Sequence, residues 1–253
     1  MKNLTRVLFL ITISLLSLNC SNDNDDVLVP IVTAPTVTDN SLTDSDGNSY
    51  QTVKIGNQIW MAENLKTTTY NDGTPITEFT FATFGNDWFT PSTPNELYQW
   101  ASTSDLGNIY DNELPFDFYG ALYNHYAIQS GKLAPTGWHI PSEAEFLELK
   151  NYLSNNGYID EEAKALKSTF GWLSNGNGTD NFGFNMLPCG YANTLGGATA
   201  AQVTAQLGST TLGTSFPGTS SQTRISLSLG TDDDLSFAPN SIALGVGIRC
   251  IKD

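Results

Sequence analysis

The first twenty residues constrain this chain more than any other stretch, because they decide where it folds. Lys2 and Arg6 make a short positive start, and Val7 to Leu18 is then almost wholly apolar, broken by Thr12, Ser14 and Ser17. A helix of that length spans roughly 18 Å, whereas a bilayer core asks for about 20 apolar residues. The segment therefore reads as the core of a signal peptide and not as an anchor helix. No other stretch is apolar for long enough to span. An exported chain folds outside the reducing cytosol, so the state of its cysteines becomes a question about structure.

The apolar run closes as Leu15-Leu16-Ser17-Leu18-Asn19-Cys20. This resembles the lipobox of bacterial lipoproteins, in which a Leu stands three residues before an acylated Cys. Ser17 holds that place here, flanked by Leu16 and Leu18, and Asn19 replaces the usual Gly or Ala. The resemblance implies cleavage after Asn19 and lipid on Cys20. The thiol carries the first acyl chain, and amino-terminal acylation adds another; several chains together make anchoring stable. The alternative is an ordinary signal peptide with a chance Cys. Ser21-Asn22-Asp23-Asn24-Asp25-Asp26 resembles the surface-export signal of Bacteroidetes lipoproteins, and it also reads as a solvated tether. The expected organisation is a lipoprotein signal peptide over 1–19, an acidic tether with Pro and Thr over 20–41, and a folded domain over 42–253. The expected location is the outer membrane, lipid-anchored and facing the cell surface.

The net charge is -15, and loss of Lys2 and Arg6 with the signal leaves 26 acidic against 9 basic residues. Such a chain is repelled by phosphate backbones, so nucleic acid is excluded as a partner class. The membrane is expected as a partner only through the lipid. Aromatic content of 11% with 22 Gly and 11 Pro marks a turn-rich globular chain.

Along the folded part, Asp44-Ser45-Asp46-Gly47-Asn48 is a turn signal. Tyr50 to Ile55 and Gln58 to Met61, separated by Gly56-Asn57, read as a β-hairpin. Phe79 to Asp117 is aromatic and loop-rich, and Tyr119 to Ile128 reads as a short helix. Ser142 is an N-cap with Glu145 completing a capping box, and Phe146, Leu149 and Leu153 follow at helical spacing. Glu161 to Thr169 is a second helix, and Phe182 to Leu187 a strand. Asn193 to Ser215 is rich in Ala, Gly and Thr and reads as loop or weak structure. Ile225, Leu227 and Leu229 alternate with serines as a strand with one wet face. Ile242 to Leu244 and Gly247 to Ile251 make an expected terminal pair. Helices between strands give the class α+β.

Several of these words are collinear with a known pattern. They are Asp46-Gly47-Asn48 with Tyr50, Val53 to Leu65, Tyr70 to Ile76, Tyr119 to Asn124, Pro135 to Pro141 and Ile248 to Asp253. In this order they resemble the Fibrobacter succinogenes major paralogous domain over roughly Leu42 to Asp253. The resemblance implies a C-type-lectin-like α+β domain with short strands, β-hairpins and two or so helices. It implies little about a ligand, since that fold hosts many functions. Two places depart from the pattern: Ala134 stands where a Cys is usual before Pro-Thr-Gly-Trp, and Phe216 to Ser221 lacks the usual Trp.

With Cys20 lipidated, Cys189 and Cys250 remain, and an even pair in an exported domain suggests a disulfide. A bridge would close about 60 residues and stabilise by roughly 4 kcal/mol on the loop-entropy account; two free buried thiols are the alternative. Asp44, Asp46 and Asn48 alternate oxygen groups as a calcium loop does, without the distal Glu of an EF-hand, and a plain turn explains them as well. No cofactor other than such a calcium ion is expected. Asp232-Asp233-Asp234 reads as a solvated loop. His125 and His139 lack zinc-ligand spacing. There is no nucleophile elbow, phosphate-cradling Gly loop or HExxH, and the paired cysteines of formylglycine-generating enzymes are not matched. Trp88, Phe89, Tyr98, Trp100 and Tyr110 either pack the core or offer faces for sugar rings or proteins; Trp88, Trp100 and Tyr110 are the candidate ligand-binding residues. The expected function is non-catalytic binding of a glycan or a protein at the cell envelope. A structural coat without a ligand and a polysaccharide-active enzyme are the alternatives.

Overall fold

A computed structural model describes residues 36–101, 117–213 and 222–253. In chain order the elements are β1 (Thr36–Thr43), β2 (Ser49–Ile55), β3 (Gln58–Met61), β4 (Thr77–Glu78), α1 (Phe81–Phe84), β5 (Leu97–Trp100), β6 (Ala121–Tyr123), α2 (His125–Gln129), β7 (Trp138–His139), α3 (Glu143–Asn155), α4 (Glu162–Leu166), β8 (Tyr191–Ala192), β9 (Ala198–Thr199), β10 (Ala205–Gly213), β11 (Thr223–Leu229), β12 (Leu235–Ser241) and β13 (Ile251–Lys252). Short strands with a few helices make the class α+β.

The main sheet has five strands in the order β1-β2-β3-β13-β7. The hairpin read at Gly56-Asn57 forms, with Val53 opposite Trp60 and Ile55 opposite Gln58. Gly56 turns the chain at a left-handed φ of 62°, and a side chain there would strike the Tyr152 ring of α3. Strand β13, nearly the last residues of the chain, is inserted between β3 and β7, with Ile251 opposite both Trp60 and His139. Strand β1 pairs with β2 from Thr36 onward, so the paired backbone reaches back into residues read as tether.

Helix α3 starts where the sequence says it should. Ser142 Oγ accepts from the Glu145 N–H, and the Glu145 carboxylate accepts from the Ser142 N–H. Its buried face of Phe146, Leu149 and Leu153 lies on the sheet, with Phe146 stacked on Trp60 at 5.6 Å and Phe184 edge-on to that Trp at 5.9 Å. Offset and edge-on pairs of this kind add about 0.5–1.5 kcal/mol each beyond burial. Gln58 ties hairpin to helix, accepting from Trp60 Nε1 and donating to the Glu145 carbonyl.

Elsewhere the local reading is corrected. Tyr119 to Ile128 is not one helix. It divides into β6 and α2 at Asn124, whose side chain caps α2 by accepting from the Ala127 N–H. Phe182 to Leu187 is not a strand, because Gly183 and Asn185 take left-handed φ values of 68° and 50°; a single bridge joins Met186 to Lys167. Residues 193–213 are more ordered than their composition suggests, giving β8–β9 pairing and then β10, the edge of a three-stranded sheet β10-β11-β12. The second helix is shorter than read, since Lys167 is already extended. In the expected terminal pair, only Ile251 and Lys252 are strand; Val246 and Gly247 form isolated bridges to Tyr123 and Leu207. A small sheet β4-β5-β6 closes the aromatic region. Among the described residues no helix is long and apolar enough to cross a membrane.

Candidate functional site

Trp88 is a core residue, 1% exposed, with Phe79 edge-on at 5.2 Å. Gly245 packs so close that a side chain there would overlap the Trp88 ring. Trp88 is thereby removed from the ligand-binding candidates: its indole is buried on every side. Trp100 is half-buried, edge-on to Tyr98 at 5.5 Å, at the margin of the second apolar cluster. Tyr110 and Cys20 lie outside the described residues.

The suggested calcium loop is a self-satisfied turn. The Asp44 carboxylate accepts from the Asp46 and Asn48 N–H groups, the Asn48 amide and the Tyr50 hydroxyl. Asp46 accepts from Thr67 and Thr68. These bonds are what a plain turn requires, and among the described residues no three His, Cys, Asp or Glu gather as a metal set. The Cys189–Cys250 bridge is likewise corrected: both are free, buried thiols. They sit in different apolar clusters, Cys189 against the Gly190 carbonyl and Cys250 beside Met61 Sδ. Burial pushes the Cys189 thiol up to about 11 and Cys250 higher still.

Among the described residues, two concavities stand out for their volume. The larger, about 580 Å³, has Phe118 and Phe170 on one wall and Arg249 in its floor. Arg249 is 1% exposed and donates from all three of its nitrogens. Nε donates to Asn64 Oδ1 at 2.8 Å, Nη1 to the Phe184 carbonyl and Nη2 to the Asn185 carbonyl at 3.0 Å. The guanidinium also lies 4.4 Å from the Phe184 ring centre. Asn64 passes the tie on by donating to the Tyr119 carbonyl. Burial lowers the Arg249 pKa to about 10, which leaves it charged at neutral pH. Asp180 is raised by burial and accepts from the Asn185 N–H, and Lys66 and Asp117 pair at 3.1 Å on the rim. The polar groups of this cleft are partners of one another, as befits a clasp joining distant segments.

The second cleft, about 520 Å³, lies between the loop after α1, the start of α2 and the ends of β11 and β12. Its position follows from two anchors. Buried Trp88 fixes the loop and turns the next residue, Phe89, outward. Asn124 then binds loop to helix: its Nδ2 donates to the Trp88 and Asn95 carbonyls, and its Oδ1 accepts from the Leu97 and Ala127 N–H groups. All four capacities of a buried amide are used. The result holds Phe89 parallel to Tyr126, centroids 5.3 Å apart and planes 5° from one another, with His125 edge-on to both.

His125 is itself set from behind by Arg224. That guanidinium, 3% exposed, donates through Nη1 to the Ser209 carbonyl and through Nη2 to His125 Nδ1 at 2.9 Å. Burial, and then the Arg224 charge, lower the His125 pKa to about 4. The imidazole is therefore neutral across ordinary pH. Gln222 and Ser241 complete the polar edge. Flat apolar rings beside neutral donors and acceptors suit a ligand with apolar faces and hydroxyl edges. Phe89 was within reach of the sequence as one of an aromatic group. His125 and Tyr126 were not, because their role depends on Arg224, about a hundred residues away in the chain.

No curated protein and no solved structure shows a significant match to the chain. Residues 53–252, from within β2 to β13 and including the whole lining of the second cleft, match the family described as the Fibrobacter succinogenes major domain, and the chain belongs to that family.

Proposed function

We propose that this protein is a lipoprotein of the cell envelope whose domain, C-type-lectin-like in architecture, binds a glycan or a surface protein without turning it over. In this reading residues 1–19 are removed, Cys20 carries the lipid, and the domain faces outward from the outer membrane. The observation that supports binding best is the Phe89–His125–Tyr126 cleft. It is preformed by buried anchors, and its size is that of small-ligand pockets, about 300–1,000 Å³. The strongly acidic exterior fits display in water and disfavours anionic partners.

The test is a binding screen of the full chain in detergent against immobilised glycans, polysaccharides and purified envelope proteins, with calcium and with chelator. Saturable binding of one of them, unchanged by chelator, is expected. A protein that serves only as coat gives no saturable binding anywhere in the screen, and turnover of a polysaccharide would sink the non-catalytic reading.

A further inference from the structure

Resting on that reading, we infer that the Phe89–His125–Tyr126 cleft takes an uncharged carbohydrate chain, with a sugar ring against the aromatic pair and a hydroxyl accepting from His125 Nε2–H. The tautomer follows from Arg224. A guanidinium has no acceptor, so the 2.9 Å contact makes Nδ1 the acceptor and leaves the proton on Nε2. Among the described residues that Nε2–H has no protein partner, and it is not among the buried unsatisfied atoms, so solvent or a ligand reaches it. Ser241 Oγ accepts from the Ala243 N–H at 3.2 Å, which leaves its own proton free to donate. Gln222 adds an amide that both donates and accepts.

The ligand's charge class follows from the lining. Among the described residues no Asp, Glu, Lys or Arg lines this cleft. Arg224 lies behind His125, its contacts turned to Ser209 and the imidazole, and so offers no exposed cation to a carboxylate or sulfate. At longer range the net charge of -15 repels anions. A sugar ring carries C–H groups on its faces and hydroxyls on its edges, which is the pattern of this site. Protein–protein interfaces usually spread over about 800 Å² per partner, whereas this site is a single cleft lined by a handful of residues.

The experiment titrates full-length protein in detergent with neutral hexasaccharides of β-1,4-glucose, β-1,4-mannose, β-1,4-xylose and α-1,4-glucose, with a galacturonic acid hexamer, and on a printed glycan array. At least one neutral sugar is expected to bind, with affinity indifferent to added salt and flat from about pH 8 to about pH 5. The groups bearing on that pH range are His125, Arg224 and the Tyr126 phenol. Tyr126→Ala and Phe89→Ala should each weaken binding about tenfold, the upper end of one lost stacking contact. Tyr126→Phe should stay within about threefold, and Phe170→Ala, in the other cleft, should change nothing. Tyr126 is partly exposed, so its truncation carries the test if Phe89→Ala fails to fold. Equal binding by folded Tyr126→Ala and wild type would place the site elsewhere while leaving the binding reading intact. Salt-sensitive binding of charged glycans alone, or saturable binding only to a purified envelope protein, would overturn the ligand class and keep the reading. No saturable ligand of any kind would remove both.

Discussion

Arg249 sits four residues from the last residue described, yet it donates to Asn64, 185 positions earlier, and to two carbonyls of the Phe184–Asn185 turn. The sequence displays this arginine in a terminal motif, but its role depends on acceptors the chain brings together only on folding. Lysine has one ammonium in place of a planar fork and reaches one or two of these acceptors at best. Arg249→Lys should lower the unfolding free energy by about 3 kcal/mol or more, the cost of leaving buried polar groups unpaired. Urea denaturation measures it, and a loss below about 1 kcal/mol would deny the clasp. The two thiols give a separate outcome. Denatured without reductant, Cys189 and Cys250 should both take iodoacetamide, and in the native protein neither should, since burial holds both as protonated thiols. A denatured mass lacking both adducts would restore the bridge.

His139 adds a pH dependence at the same scale. Its Nε2 meets Glu145 and its Nδ1 meets Asp253, each at 2.7 Å. Burial works against the charged ring, but the two carboxylates outweigh it and the pKa is raised. A folded value above the unfolded one means that the stabilisation is complete below the ordinary histidine range. It is lost as pH rises through the folded value. The thermal midpoint should therefore fall slightly between about pH 6 and about pH 8, slightly because the pair to Asp253 is largely exposed. His139→Gln should flatten that slope, and an unchanged slope in the variant would assign it elsewhere.

At the scale of elements, what could be read was what is local. The capping box of α3 spans Ser142 to Glu145, and the hairpin turns on Gly56-Asn57, so neighbours in sequence carry the whole signal. Ser142→Ala should cost about 1 kcal/mol of stability, measured by denaturant midpoint at unchanged slope; Ser142→Asp should recover most of it. Strand β10 escaped the same reading. Its buried positions include Ala205, Gly208 and Ser209 as well as Leu207, which packs well but carries little hydrophobic period. Gly208 in particular leaves room for Val246 and Ile248 from another part of the chain. Composition suggested looseness where small residues allow close approach. The second cleft was hidden for a related reason: the aromatic run around Trp88 announces rings, but only the four bonds of Asn124 decide that Trp88 goes inward and Phe89 outward.

For the whole molecule, the strongest expectation concerns the end of the chain that the structure does not describe. Of three cysteines, two are buried in the folded domain, and the lipoprotein reading needs only the third, Cys20. Growth with labelled palmitate should put label on the wild-type chain, and detergent phase separation should carry that chain into the detergent-rich phase. Cys20→Ser should remove both behaviours and leave the thermal midpoint of the domain unchanged. Leaflet and side are then separable from anchoring. Antibody binding to intact cells reports outward display, and replacement of Asp23, Asp25 and Asp26 by Ala should reduce that signal while palmitate labelling persists, if the acidic start is the export address and not only a solvated tether. Label that survives in Cys20→Ser would end the lipoprotein reading. Label present with no surface signal in wild type would keep the anchor and move the binding cleft to the periplasmic side, where an envelope polymer becomes the glycan to try.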